Sequence, residues 1–197
     1  LKCTHDSGSV IVCNGESIYG ADSIKRQLDK RLKRNYYYGN REWPYKDIKP
    51  QIIAEKYLSA SNGKPLLDYK FMCFNGEVKA LFVDTGVIDS NGKTASSYYR
   101  NVYDRNFNLL PVLETRTNSP EPISKPENYD EMLCIAEQLS VGFPHLRVDM
   151  YNIDGQIKIG ELTLYHGSGM SNYFDPPEWN EKFGNWIDLS LAYNDKP

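Results

Sequence analysis

Arg147 and Asp149 stand two apart in Leu146-Arg147-Val148-Asp149-Met150-Tyr151, and Glu161 and Thr163 stand two apart in Gly160-Glu161-Leu162-Thr163. Alternate residues of an extended chain share a face, so each pair projects to one side. Carboxylates offer the oxygen ligands that a hard magnesium ion needs, and a guanidinium offers fixed donors to phosphate. Asp149, Glu161 and the hydroxyl of Thr163 are therefore candidate metal ligands, with Arg147 as the cation beside them. A small-residue loop, Gly167-Ser168-Gly169, follows at once.

Register decides whether these groups can meet. Asp154-Gly155, between two alternating runs, is a hairpin-turn signal. A plain two-residue turn pairs Asp149 with Gly160 and sends Glu161 to the opposite face. A three-residue loop or one bulge shifts the pairing by one and brings Asp149 and Glu161 together. The shifted register is the expectation; an ordinary exposed hairpin with a solvated charged face is the alternative.

Four further segments could carry chemistry. Lys2 precedes the polar loop Thr4-His5-Asp6-Ser7-Gly8-Ser9, where backbone N–H groups near Ser7 and Gly8 could surround phosphate oxygens. A surface loop after a lysine reads the same way. Glu55 interrupts the apolar run 52–58, whose main chain could face an adenine edge with Tyr57 and Leu58 as walls; an edge-strand glutamate facing water is the plainer reading. Asp68 and Lys70 share a face by period 2, as an acceptor for a ribose hydroxyl beside a phosphate donor, or as an ion pair. Arg100, in a loop by this reading, could reach a substrate carboxylate or acyl phosphate, or simply lie on the surface. His5, His145 and His166 read as hydrogen-bonded structural histidines.

The elements that must position these residues are mixed. Residues 21–34 predict a helix with Ile24, Leu28 and Leu32 on one stripe and a solvated basic face. Short strands are expected at 1–3, 10–13 and 52–58, with an aromatic connector over 35–50. A hairpin is expected about Asn75-Gly76, from 68–74 and 77–87. Residues 91–127, with four prolines, predict irregular structure. Residues 128–139 predict a helix with an Asn128/Glu131 capping signal. Strands and helices alternate without a βαβ period, which predicts an α+β fold with antiparallel sheets.

Composition bounds the function. The chain has 197 residues and a net charge of −3, which argues against a general nucleic-acid binder. No apolar run approaches the roughly 20 residues of a membrane span. Cys3, Cys13, Cys73 and Cys134 form no Cys-x-x-Cys pair, so reduced, mostly buried cysteines in a cytoplasmic protein are expected.

Together these segments resemble the ATP-grasp superfamily, in particular its TupA-like branch of teichuronopeptide and polysaccharide biosynthesis. The likeness is carried, in order, by residues 1–9, by Arg41-Glu42-Trp43 through Ile48-Lys49-Pro50, by residues 52–58, by Asp68-Tyr69-Lys70-Phe71, by Arg147-Val148-Asp149 and by Gly160-Glu161-Leu162-Thr163. It implies an ATP-grasp fold: a small lobe over 1–51, partial because an upstream part is missing from this chain, and a large lobe over 52–197 with the metal-binding hairpin. ATP would lie in a cleft between the lobes, with Lys2 and Lys70 on phosphates, Glu55, Lys56 and Leu58 at the adenine hinge, and Asp68 near the ribose. Mg2+ would sit on Asp149 and Glu161. The activity implied is ligation of a carboxylate, small or glycan-linked, to an amine through an acyl phosphate. Two departures stand out: Thr163 replaces a frequent asparagine, and His166 stands where proline is frequent. A non-catalytic nucleotide- or glycan-binding module and a phosphotransferase that stops at phosphorylation are the competing expectations.

Overall fold

A computed structural model of the chain describes residues 1–13, 20–88, 95–170 and 174–190. They fall into two compact units, Leu1–Leu58 with Ile88–Ala95 and Ser59–Val87 with Ser96–Pro197. Mixed helices and antiparallel sheets make this an α+β protein.

The first unit runs β1 (Lys2–Cys3), α1 (Ala21–Leu32), α2 (Tyr36–Asn40) and β2 (Ile52–Ile53). Leu28 of α1 is buried with Cys3 and Ile11, and Ile24 and Leu32 pack alongside. Asp22 in the first turn and Lys30 and Arg31 in the last complement the helix dipole. The predicted strand 52–58 shrinks to Ile52–Ile53, because its partner among the described residues, β1, is two residues long. Residues 10–13 form no strand; Ile11 and Leu1 merely exchange N–H···O bonds of 2.8 and 3.0 Å. The connector holds α2, opened by Asn35, whose side chain accepts from the Tyr37 N–H at 3.0 Å, and closed by Arg41 at φ 60°.

The second unit adds β3 (Asp68–Phe74), β4 (Glu77–Thr85), β5 (Tyr99–Asp104), β6 (Leu113–Glu114), α3 (Tyr129–Ser140), β7 (His145–Ile153), β8 (Gln156–Thr163), β9 (Phe174–Asp175) and α4 (Glu178–Asn185). Five of these strands form one antiparallel sheet, ordered β5-β4-β3-β7-β8. Two tight turns set its register. Asn75-Gly76 has φ of 52° and 83°, and Asp154-Gly155 has 51° and 80°. Positive φ at both central residues matches the right-handed strand twist and explains why these dipeptides occur there.

One sheet face is mainly apolar. Tyr69, Phe71, Leu81, Val83, Val148 and Met150 pack under Tyr129, Met132, Leu133 and Ala136 of α3. The other face is divided. Met72, Phe74, Ala80, Phe82 and Val102 pack under Val112 and the Trp179 and Phe183 rings of α4. The remainder of that face carries charge.

Three expectations need correcting. The span 91–127 is not irregular throughout: it contains β5 and β6, while residues 91–94 lie outside the described residues. Asn128 does not cap α3; its amide donates to the Gly155 carbonyl at 3.0 Å and its Oδ1 accepts from Asn152, so it ties the helix to the hairpin instead. Of the four free cysteines, Cys3 and Cys73 are buried but Cys13 and Cys134 are exposed. No helix of the described residues is long and apolar enough to cross a membrane.

Candidate active site

The hairpin of β7 and β8 adopts the shifted register by the bulge route. Its turn is a two-residue one, pairing Ile153 with Gln156, so the first pairs follow the plain count. A bulge between Met150 and Asp149 then inserts Gly160, and Asp149 pairs with Glu161 and Arg147 with Thr163. All four side chains share the divided face. Tyr151 lies over the bulge: a Cβ on residue 160 would come 3.1 Å from its Cε2. Glycine is the residue that admits the ring.

On the other side of β7, Lys70 pairs with Asp149 and Asp68 with Tyr151. Lys70 Nζ donates to Asp68 Oδ2 at 2.5 Å and to Asp149 Oδ2 at 2.8 Å. Arg147 grips Asp149 with both prongs, Nε to Oδ1 at 2.7 Å and Nη2 to Oδ2 at 2.8 Å. Such bidentate, charge-assisted contacts fix the guanidinium plane. Arg147 Nη2 also lies 3.7 Å from Glu161 Oε2, and Thr163 Oγ1 donates to Glu161 Oε1 at 3.0 Å.

Charge follows from burial and partners. Burial pushes the Asp149 carboxyl upward, but Arg147 and Lys70 more than reverse this and hold it below its ordinary value. Burial lowers Lys70, yet Asp149 and Asp68 carry it up to about 12. Asp68 goes the other way. Burial raises it, Lys70 only partly offsets that, and its buried Oδ1 has no hydrogen-bond partner.

A second ion cluster completes the face. Arg100 is not the loop cation expected from its sequence setting. It sits on β5, buried, with Nε and Nη2 on Asp84 at 2.6 and 2.7 Å and Nη1 on Glu114. All three guanidinium nitrogens are thus engaged by carboxylates within a buried cluster. Glu114 also accepts from Thr115 Oγ1 at 2.9 Å. Burial would raise Glu114, but His166, Arg100 and Thr115 lower it to about 2. Asp84 and Glu114 were not singled out from the sequence. Asp84 left one signal, a carboxylate ending the apolar run Ala80-Leu81-Phe82-Val83.

The remaining candidates lie in the first unit. Lys2 Nζ meets Glu55 Oε2 at 2.9 Å, so these two are an ion pair. The Ser7 N–H donates to Asp6 Oδ1 at 2.9 Å, and Gly8 is exposed with φ of 74°. His5 is buried and donates through Nε2 to the Arg34 carbonyl at 3.0 Å. Glu55, Lys56 and Leu58 follow β2 outside any strand or helix, Lys56 exposed and Leu58 half-buried.

Can the second-unit residues hold a metal? Among the described residues no three His, Cys, Asp or Glu side chains converge on one point. A zinc-type cage is thereby disfavoured. Magnesium has different needs: it keeps several waters and uses one or two carboxylates with substrate phosphates. Asp149 and Glu161, opposed across neighbouring strands, would supply two such carboxylates. Within the two ion clusters, five carboxylates (Asp68, Asp84, Glu114, Asp149, Glu161) meet three cations (Lys70, Arg100, Arg147).

No curated protein and no solved structure showed a match to the chain. The family model described as TupA-like ATPgrasp matches residues 1–188. That span takes in the first unit, the second as far as residue 188 and every residue of the two ion clusters, and on it the chain belongs to the TupA-like ATP-grasp family.

Proposed function

We propose that the protein is an ATP- and magnesium-dependent ligase that joins a carboxylate to an amine through an acyl phosphate, in cell-surface polysaccharide or peptide–polysaccharide biosynthesis. One observation carries the reading: Asp149 and Glu161 are direct partners on one sheet face, with Lys70 and Arg147 bonded to the same carboxylate. Family membership supports the reaction class.

Asp149 and Glu161 would hold magnesium, with the Thr163 hydroxyl orienting Glu161. Bound magnesium would supply charge neutralisation at phosphate oxygens. Lys70 and Arg147 would each turn part of their hydrogen bonding from Asp149 to the transferring phosphoryl group. Both remain protonated at any physiological pH, since their partners raise them, so the site works by positioning and fixed charge rather than by proton transfer. Asp68, with one unpartnered carboxylate oxygen, is the acceptor for a ribose hydroxyl. Lys2 in the first unit is the second phosphate lysine, with Glu55, Lys56 and Leu58 at the adenine edge. The reaction is expected to run in the cytoplasm, where ATP is available.

The test is release of ADP by the purified chain with ATP, magnesium and a panel of carboxylates and amines. Release that requires both substrates supports the ligase. A stable phosphorylated product without the amine indicates a phosphotransferase. A magnesium-dependent rise in melting temperature with ATP, without turnover, indicates a binding module.

A further inference from the structure

The two ion clusters of the divided face are bridged by His166. Arg147 Nη1 lies 3.1 Å from Nδ1 of His166. A guanidinium has no lone pair to offer, so Arg147 donates and Nδ1 accepts. The ring proton then belongs on Nε2, which is buried, has no shorter bond, and faces Glu114 Oε1 at 3.5 Å. The other Glu114 oxygen is held by Arg100 and Thr115. Phe82 wedges the ring from the side, with centroids 5.7 Å apart in an edge-on arrangement. Arg100 lies over the same Phe82 ring at 5.3 Å. The chain is bent to bring the imidazole there: Gly167 and Ser168 follow at φ of 57° and 58°.

We infer that His166 is a positioning residue for Arg147. Asp149 takes Nε and Nη2 of that guanidinium, and His166 takes Nη1, so all three nitrogens are fixed. The function follows from what must happen when Arg147 serves a phosphoryl group. Contacts to Asp149 loosen as the guanidinium turns toward the new anion, and His166 keeps one prong anchored to a buried cluster whose charges are already paired. Its anchor is the buried Asp84–Arg100–Glu114 triad, which has no reason to respond to substrate. This rests on the reading of Arg147 given above, but its first test does not require turnover.

Rotation about the Nε–Cζ bond of Arg147 can be read by arginine side-chain NMR on the full chain, with the signal assigned by its loss in Arg147→Lys. Wild type should show separate Nη1 and Nη2 resonances. His166→Phe and His166→Leu keep an apolar ring or side chain against Phe82 but offer no acceptor, and either should speed exchange between the two signals, which the bidentate Asp149 contact alone still slows. His166→Gln can accept from Arg147 and donate to Glu114, and should return the exchange rate toward that of wild type. An unchanged exchange rate in whichever of the Phe and Leu variants folds overturns the inference, as does failure of the Gln variant to slow it. On turnover, His166→Phe should lower kcat on the order of 100-fold with KM for ATP held within two-fold, and His166→Gln should recover most of it. A wild type that never turns over counts against the ligase reading alone, and the NMR result still judges His166.

Discussion

Two ion clusters occupy the same sheet face and use the same side-chain chemistry, yet they differ in how far each is closed. In the Asp84–Arg100–Glu114 triad every guanidinium nitrogen has a carboxylate, and all three side chains are at most 8% exposed. In the Asp68–Lys70–Asp149–Arg147–Glu161 cluster the ends are loose. The Glu161 side chain is 53% exposed and 3.7 Å from its nearest cation, and Asp68 Oδ1 is buried with no partner. A closed cluster has nothing left to offer a ligand, whereas an open one has unspent acceptors beside strongly held cations. Saturation of hydrogen bonding, more than the presence of charge, separates a structural ion cluster from a site.

The largest effect should come from breaking the closed cluster. Arg100→Met leaves Asp84 and Glu114 buried without a counter-charge, a loss of about 3–5 kcal/mol, read as a lowered urea midpoint for the second unit. Arg147→Met should cost clearly less, because Asp149 keeps Lys70 and Glu161 is already in water, while abolishing turnover. Equal destabilisation by the two variants would erase the distinction between the clusters. Next, Asp149→Asn or Glu161→Gln should remove magnesium-dependent turnover by more than about 100-fold with the unfolding transition retained. Full activity in either variant ends its role as a ligand.

A third prediction uses acid. Glu114 falls from 4.5 to about 2 on folding, so between those values the unfolded chain binds a proton that the native chain does not. Its contribution is complete above pH 4.5 and is lost as pH falls toward 2, amounting to about 3 kcal/mol. Asp68 has the opposite sign. Its raised carboxyl favours the protonated fold, so its contribution is lost as pH rises past its unfolded value of 3.8. Denaturant titrations from pH 5 downward should show stability falling in wild type. The fall should be flatter in Glu114→Gln and steeper in Asp68→Asn. A wild-type curve with no slope there means Glu114 is not held by the triad.

Much of this was legible in the residues, for physical reasons that can be named. Period-2 alternation with Asn-Gly and Asp-Gly turns places β3, β4, β7 and β8, since those dipeptides are the ones that tolerate positive φ twice. The pairing of Asp149 with Glu161 needed only a bulge, and Gly160 beside Tyr151 supplied it. β5 was missed because Tyr99-Arg100-Asn101 carries a cation and an amide at buried positions. Their partners, Asp84 and Glu114 for Arg100 and the Ser119 N–H for Asn101, come from remote or adjoining segments that no local pattern reveals. Lys2 and Glu55 were each read as site residues; that they also pair with one another across β1 and β2 depends on a pairing two residues long. His166 hid in a loop for the same reason, since its meaning lies in Arg147 and Glu114 rather than in its neighbours.

The smallest expected effect tests the bulge that opens the second cluster. Gly160 does not occupy the left-handed region, so space alone limits an alanine there. Its Cβ would meet Tyr151 Cε2 at 3.1 Å and the Asp149 carbonyl at 3.5 Å. The ring must yield by a few tenths of an ångström, at a cost of about 1 kcal/mol, seen as a drop of several degrees in Tm. Tyr151→Leu should make the same alanine nearly neutral, and the difference between the two backgrounds measures the contact directly. Because Tyr151 is the strand partner of Asp68, the displaced ring should also weaken ATP binding a few-fold in Gly160→Ala and not in the double variant. An alanine that is neutral in both backgrounds would mean that the ring does not set the bulge, and that the alignment of Asp149 with Glu161 is held by the cations on Asp149 instead.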